Sequence, residues 1–277
     1  MVQAKGAAHP RDLPDVYEEY QGWPSEVTEG VARYFASALP RGRARCLVLG
    51  CATGVNDALP LARIARPSQS ITAGDLEPAF LERLQERVIA EGLSVVNAQV
   101  IDITGDLSPL GSFDLVSLLF VIHRVRPWEP VIDRICRLVA PGGSFFISEF
   151  VGPGGVIFAS NEAGGTGTDP VSRMIRRYFE MVPGRFSPAL KSTNIAPVLD
   201  RVAGLLEPGG HQDFGWNQTL MPGEMFRRIR DQAYAPYFST TPAPGALDRL
   251  REEFSGEWTE AVRQTEVIRI HRFEKRK

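Results

Sequence analysis

Long apolar runs are missing from this 277-residue chain. No stretch approaches the roughly 20 apolar residues that a helix needs to cross a bilayer, so no membrane span is expected. Cysteine is scarce: Cys46, Cys51 and Cys136 are the three. Their odd number and apolar or turn settings argue against a disulfide framework, and no Cys/His spacing suggests a metal site. The opening residues, MVQAKGAAHPRDLP, lack the apolar core of a secretory signal. A cytoplasmic protein with reduced thiols is the expectation. A basic stripe is absent as well. Net charge is −2, and the nearest cluster, Arg173, Arg176 and Arg177, is interleaved with apolar residues. No nucleic-acid partner is expected.

What is present is an ordinary globular composition, 43% hydrophobic and 23% charged, long enough for one large α/β domain with an insertion. Residues 15–39 read as helical, broken near Gly22-Trp23-Pro24, with Ser25 in the N-cap role and Val27, Val31, Tyr34 and Phe35 at helical spacing. After Pro40, apolar bursts of four to seven residues (46–49, 70–73, 95–101, 113–119 and 144–148) alternate with helical stretches (57–64, 78–90 and 129–139). Strands apolar on both faces, separated by helices, predict a Rossmann-like, doubly wound and mostly parallel sheet, with seven strands expected. Gly142-Gly143 is expected to stop the last helix.

The alternation lapses after Glu149. Residues 151–168 are rich in glycine and small side chains, and two amphipathic helices follow. The first carries Met174, Ile175, Tyr178 and Phe179 on one face; the second carries Ile195, Val198, Leu199, Val202, Leu205 and Leu206 and ends at Pro208-Gly209. The expected organisation is N-terminal cap helices (1–44), a ligand-binding core (45–150), a helical lid (151–222), and the remainder of the core (223–277). In that remainder a short strand near 237–239 precedes a helix and a final strand, 266–273, of edge or antiparallel type. In that strand Val267, Ile268, Ile270 and Phe273 oppose Glu266, Arg269, His271 and Arg272.

The first strand runs into a turn, CLVLGCATG, with Gly50 and Gly54 around Cys51, Ala52 and Thr53. In an open parallel sheet this turn faces the ligand crevice, and free N–H groups of the next helix favour an anionic group. A dinucleotide site wants G-x-G-x-x-G, but the spacing here gives Gly50, Ala52 and Val55. S-adenosylmethionine, which has no phosphate, is less hindered by the methyl of Ala52. Downstream, ITAGDLEP puts Asp75 after the second strand, able to accept from ribose hydroxyls or to cap the following helix. VIDITGDL puts Asp102 at the end of the third strand. GSFDLVSLLFVIHRV gives a fourth strand with His123 past its end, and LVAPGGSFFISEF gives helix, turn and strand.

These segments, in order from about residue 45 to 149, resemble the class I S-adenosylmethionine-dependent methyltransferases of the small-molecule group. The resemblance implies S-adenosylmethionine as cofactor, with Gly50, Cys51, Ala52, Thr53 and Gly54 under its methionine part. It places Asp75 and Leu76 at the ribose, Asp102 and Ile103 beside the adenine, and Leu119 and Phe120 along its path. Tyr17, Tyr20 and Trp23 would cover it, or else pack on the sheet. The sequence departs from the family pattern at Ala52 and at Val48, where many members carry an acid. Without that acid, backbone carbonyls or water must serve the cofactor's amino group.

Methyl transfer from a sulfonium needs alignment and exclusion of water, and a base only for a protonated nucleophile. His123, His211 beside Asp213 and Trp216, and Glu149 at the end of the fifth strand are the candidate catalytic groups. Arg173, Arg176 and Arg177 would fork a carboxylate or form the polar face of a helix. Phe158, Met174, Tyr178, Phe179, Phe186 and Trp216 suggest an apolar pocket. The expected function is methylation of a small molecule at O, N or C, of a kind used in secondary metabolism. The alternatives are a non-catalytic binder or regulator of the same fold and a nicotinamide oxidoreductase, which the glycine spacing disfavours.

Overall fold

The structure is a computed structural model that describes residues 13–151, 168–181, 195–230 and 245–277. The strand expected near 237–239, Phe158 and Phe186 lie outside the described residues. Two helices come first, α1 (Leu13–Gln21) and α2 (Ser25–Ser37). Ser25 is the first residue of α2 and not its cap; Pro24 holds the cap position with no side-chain bond. Val27, Val31 and Phe35 recur every fourth residue and are buried on one face.

The alternating region is the expected one: β1 (Ala44–Leu49), α3 (Ala58–Ile64), β2 (Gln69–Asp75), α4 (Pro78–Ala90), β3 (Val96–Val100), β4 (Phe113–Leu118), α5 (Glu129–Leu138) and β5 (Val139–Phe150). After it come α6 (Pro170–Met181), α7 (Ala196–Ala203), β6 (Glu207–Leu220), α8 (Pro222–Arg230), α9 (Ala246–Glu253) and β7 (Val262–Glu274). The seven strands form one sheet in the order β3-β2-β1-β4-β5-β7-β6, parallel except where β7 pairs with β5 and β6. Apolar residues of β1 and β4 fill both faces. Leu47, Leu49, Val116 and Leu118 pack towards α5 and α7, and Cys46, Val48 and Leu115 towards α2, α3 and α4. Each fully buried leucine contributes about 1.5–3 kcal/mol relative to exposure.

Strand order reverses between β1 and β4, whose ends are in register: Leu49 pairs with Leu118 on one side and Gly74 on the other. That reversal opens a crevice at the carboxyl ends of the strands.

Several elements differ from expectation. α5 ends at Leu138, and Gly142-Gly143 lies inside β5, where its register with β4 shifts. Of the expected lid, 151–222, two parts belong to the sheet layers. α7 packs beside α5 in the core, through Val198 and Val202, and β6 is an edge strand. Pro208-Gly209 therefore starts a strand instead of ending a helix. Conversely α8 and α9, expected in the core, pack with α6 in a separate apolar cluster through Met174, Tyr178, Met225, Ile229 and Leu250. The final strand is antiparallel but interior. Glu266, expected on its polar side, is buried on the same face as Ile268 and Ile270 and accepts from Gln218 Nε2 at 2.8 Å. Burial pushes its carboxyl up to about 8.

Candidate functional site

A cavity of about 560 Å³ opens at the strand reversal. Its floor is the β1 turn, Gly50, Cys51 and Ala52. The turn is closed by its own backbone: Gly50 N–H donates to Gly74 O at 2.7 Å and Gly54 N–H to Cys51 O at 2.8 Å. Both glycines have positive φ, +68° and +74°, and both are pressed by protein. A Cβ on Gly50 would meet Val121 Cγ2 at 2.2 Å, and one on Gly54 would meet Leu84 Cδ1 at 2.6 Å. Close approach of neighbouring side chains therefore requires these glycines, before any ligand is considered. Ala52 is also left-handed (φ 46°), as is Phe120 (φ 53°) on the wall opposite. Strain of this kind, about 1–3 kcal/mol each, concentrates where a ligand is clamped.

Asp75 joins the turn directly. Its Oδ2 accepts from Ala52 N–H at 2.8 Å and its Oδ1 from Glu77 N–H at 3.0 Å. The cap of α4 is Glu77, which accepts from Ala79 N–H, so Asp75 is not the N-cap. Leu76 lies beside it on the wall, and Asp102 and Ile103 follow from the end of β3. Asp102 Oδ1 accepts from the amide and hydroxyl of Thr104 at 2.8 and 2.6 Å, which holds its carboxyl below the usual range. Leu119, Phe120 and His123 complete the β4 side.

The N-terminal helices close the cavity through Tyr17 and Trp23. Arg83 of α4 pairs with Asp15 at 2.7 Å and Arg87 with Glu18, tying α1 to the core. Trp23 stacks edge-on against Phe120 at 5.8 Å, and Phe120 lies 4.2 Å from Phe150. Tyr20 is not on this wall; its ring carries the Arg228 guanidinium at 5.3 Å. Thr53 and Gly54 lie behind the floor, with Thr53 fully buried.

Among the wall residues with no role in the sequence reading are Asn56 and Asp57. Asn56 Oδ1 accepts from Trp23 N–H at 2.9 Å and its Nδ2 donates to Gln21 O at 2.9 Å, which fixes the link between α1 and α2 over the cavity. Asp57 caps α3, accepting from Ala58 N–H at 2.6 Å. The helix start expected to offer free N–H groups to an anion thus presents a carboxylate. The signal was available in VNDAL, a polar pair between the glycine turn and an apolar helix.

The catalytic candidates are scattered. His123 lines the cavity but is 9% exposed, and burial, with Arg124 beside it, holds its imidazole down at about 3. It is therefore neutral at pH 7 and has little affinity for a proton. His211 is exposed on the edge strand β6, with its ring 5.7 Å from that of His271. Asp213 does not orient it, being gripped by Arg269 at 2.7 and 2.8 Å. Glu149 faces His271 Nε2 at 2.9 Å and is not on the cavity wall. Arg173 and Arg177 pair with Glu257 and Glu253, the behaviour of a polar helix face; nothing is described of the Arg176 and Phe179 side chains. Met174 and Tyr178 are buried in their own cluster, and Trp216 packs partly buried against the sheet.

Residues 47–145 match the family model described as a methyltransferase domain. A demethylmenaquinone methyltransferase of Thermus thermophilus is 27% identical over 37% of this chain and 46% of its own length. A thiol S-methyltransferase of Homo sapiens is 29% identical over 40% of this chain and 45% of its own. The chain spans about half the length of the curated relatives it matches. Among solved structures, coclaurine N-methyltransferase shares the fold with a TM-score of 0.55 over 96% of this chain and 79% of its own, at 13% identity. Among the described residues no helix is long and apolar enough to cross a membrane. Residues 47–145 thus carry a methyltransferase domain, on a fold shared with solved methyltransferases.

Proposed function

We propose that the protein binds S-adenosylmethionine in the β1–β4 cavity and methylates an apolar small molecule. The observation that carries this reading is the charge of the inner wall. Asp57, Asp75, Glu77 and Asp102 outnumber Arg124 and Arg126 along the cavity, and the α3 start that would receive a phosphate is capped by a carboxylate. A pyrophosphate is repelled there, whereas a ligand with a sulfonium and an ammonium against one carboxylate is net positive and complementary.

When bound, S-adenosylmethionine supplies a methyl group on a sulfonium, transferred by in-line displacement. This chain's residues bind, orient and exclude water. Gly50, Cys51 and Ala52 support the methionine part, with Thr53 and Gly54 bracing the turn from behind. Asp75 and Leu76 receive the ribose. Asp102 and Ile103 flank the adenine, and Leu119 and Phe120 border its path. Trp23, Phe120 and Phe150 form an aromatic wall suited to an apolar acceptor. The relatives named for demethylmenaquinone and for thiols fit that class. His123, neutral on the wall, serves as a hydrogen-bonding group for the acceptor. Three buried, unpaired thiols suit a reducing compartment, and we place the protein in the cytoplasm.

The test has two stages. Calorimetric titration with S-adenosylmethionine and, separately, NADH should give heat for the first alone. Incubation with methyl-labelled S-adenosylmethionine and a panel of thiols, phenols, amines and carboxylates should then label an apolar acceptor. Binding without transfer to any acceptor would favour a non-catalytic binder, and failure to bind would end the proposal.

A further inference from the structure

Asp57 is a buried group to which the proposed mechanism gives no contact with the ligand. It is 4% exposed, lies on the cavity wall, and is held at the start of α3, one turn beyond the β1 floor. Its hydrogen bonds are to backbone amides, Ala58 N–H at 2.6 Å and its own N–H. Among the described residues no Lys, Arg or His acts on it; the charge that does act is Asp75, of the same sign. A carboxylate buried without a cation is costly, and proteins retain one where a ligand supplies the missing charge. Helix capping alone does not account for it, because Asn or Ser caps as well without a charge.

The position of Val48 sharpens the point. Its side chain is fully buried among Val31, Phe35 and Ile71, so that side chain has no access to the cavity and no polar atom to offer. The ligand's amino group needs another acceptor, and Asp57 stands on the same floor.

We infer that Asp57 is the carboxylate that receives the α-ammonium of the cofactor's methionine moiety, in place of the acid missing at position 48. This rests on the S-adenosylmethionine reading above. It follows that binding is linked to a proton. Burial, opposed by the Ala58 amide and reinforced by Asp75, pushes the Asp57 carboxyl up to about 7. Without ligand it is mostly protonated at pH 6 and mostly ionised at pH 8. An arriving ammonium favours the ionised form, so binding at pH 6 releases nearly one proton, and affinity rises about tenfold from pH 6 to pH 8.

Charged and titratable groups sharing the wall are Asp75 and Glu77 from the β2 end, Asp102 from the β3 end, His123, Arg124 and Arg126 after β4, Cys51 in the turn and Tyr17 on α1. His123 is held down at about 3, and burial holds the Cys51 thiol well above its ordinary value, so neither changes charge between pH 6 and 8.

The experiment is calorimetry on the full chain at pH 6 and pH 8, each in two buffers of different ionisation heat, so that protons released are counted directly. S-adenosylmethionine should release nearly one proton at pH 6 and almost none at pH 8. S-adenosylhomocysteine, which lacks the sulfonium but keeps the ammonium, should behave the same. 5′-Methylthioadenosine, which has neither amino nor carboxylate group, should release none. Asp57→Asn, which keeps the cap, should abolish the proton release and lower S-adenosylmethionine affinity at pH 8 by tenfold or more. Proton release by 5′-methylthioadenosine, or tight cofactor binding without proton release in the unmodified chain, overturns the assignment but leaves the cofactor reading standing. Absence of binding by any of the three ligands removes both.

Discussion

Gly50 offers the sharpest test of why the β1 turn is built as it is. A methyl group there meets two separate penalties. The left-handed backbone (φ +68°) costs an alanine about 1–2 kcal/mol. The new Cβ also sits 2.2 Å from Val121 Cγ2, and forcing extra volume into a packed site costs about 1–3 kcal/mol. Gly50→Ala should therefore destabilise by about 2–5 kcal/mol, which leaves a domain of ordinary stability folded. In a Val121→Ala background the obstructing methyl is gone, and the nearest remaining Val121 atom is Cβ at 3.4 Å, an ordinary contact. There the same substitution should cost only the backbone term, about 1–2 kcal/mol. The double-mutant cycle thus predicts a coupling of about 1–3 kcal/mol between positions 50 and 121. Urea unfolding of the four proteins, followed by tryptophan fluorescence without ligand, reads it. Equal costs in both backgrounds would refute the account and return the glycine to ligand contact or backbone geometry alone.

Asp75→Ala should weaken S-adenosylmethionine binding by about 1–3 kcal/mol, roughly 5- to 150-fold. Unchanged affinity in a folded variant, measured by calorimetry, would mean that the ribose lies elsewhere. Ala52→Gly relieves a left-handed alanine at about 1–2 kcal/mol while adding about 0.4–1 kcal/mol of unfolded-chain entropy, so its melting temperature should stay level or rise. A fall of several degrees would show that the methyl itself packs usefully. His123 titrates at about 3 in the fold against an ordinary 6.5. As pH falls through that interval the unfolded chain takes up a proton that the folded chain refuses, so this group's contribution to stability declines with acid and is level above 6.5. His123→Gln should lose less stability than the unmodified chain between pH 7 and pH 4. Parallel pH dependence in urea unfolding would count against burial of the ring.

The alternation of apolar bursts and amphipathic helices fixed residues 44–150, because strands covered on both faces and helices covered on one leave unmistakable periods. β6 escaped notice for a local reason. Its first half is exposed and contains Pro208, Gly209 and Gly210, and only Phe214, Trp216 and Leu220 keep the period-two signal. α7 was legible as a helix but not as a core helix. Val198 and Val202 say that one side is covered and say nothing of what covers it. Glu266 read as a polar position because glutamate is seldom buried, and Gln218 of β6 together with the charge of Arg228 accommodates it.

The candidate site divides in the same way. Sequence alone determined which turn and which strand ends would meet, since Gly50, Asp75 and Asp102 all stand at or just past the carboxyl ends of strands of one parallel sheet. What the three-dimensional fold decided was direction: Asp75 turned to the Ala52 amide, Tyr20 under Arg228 and away from the cavity, and Asp57 placed on the wall with no cation acting on it among the described residues. A strand's period tells which face a residue takes. The company it finds there depends on segments distant along the chain, and that company sets its charge and its chemistry.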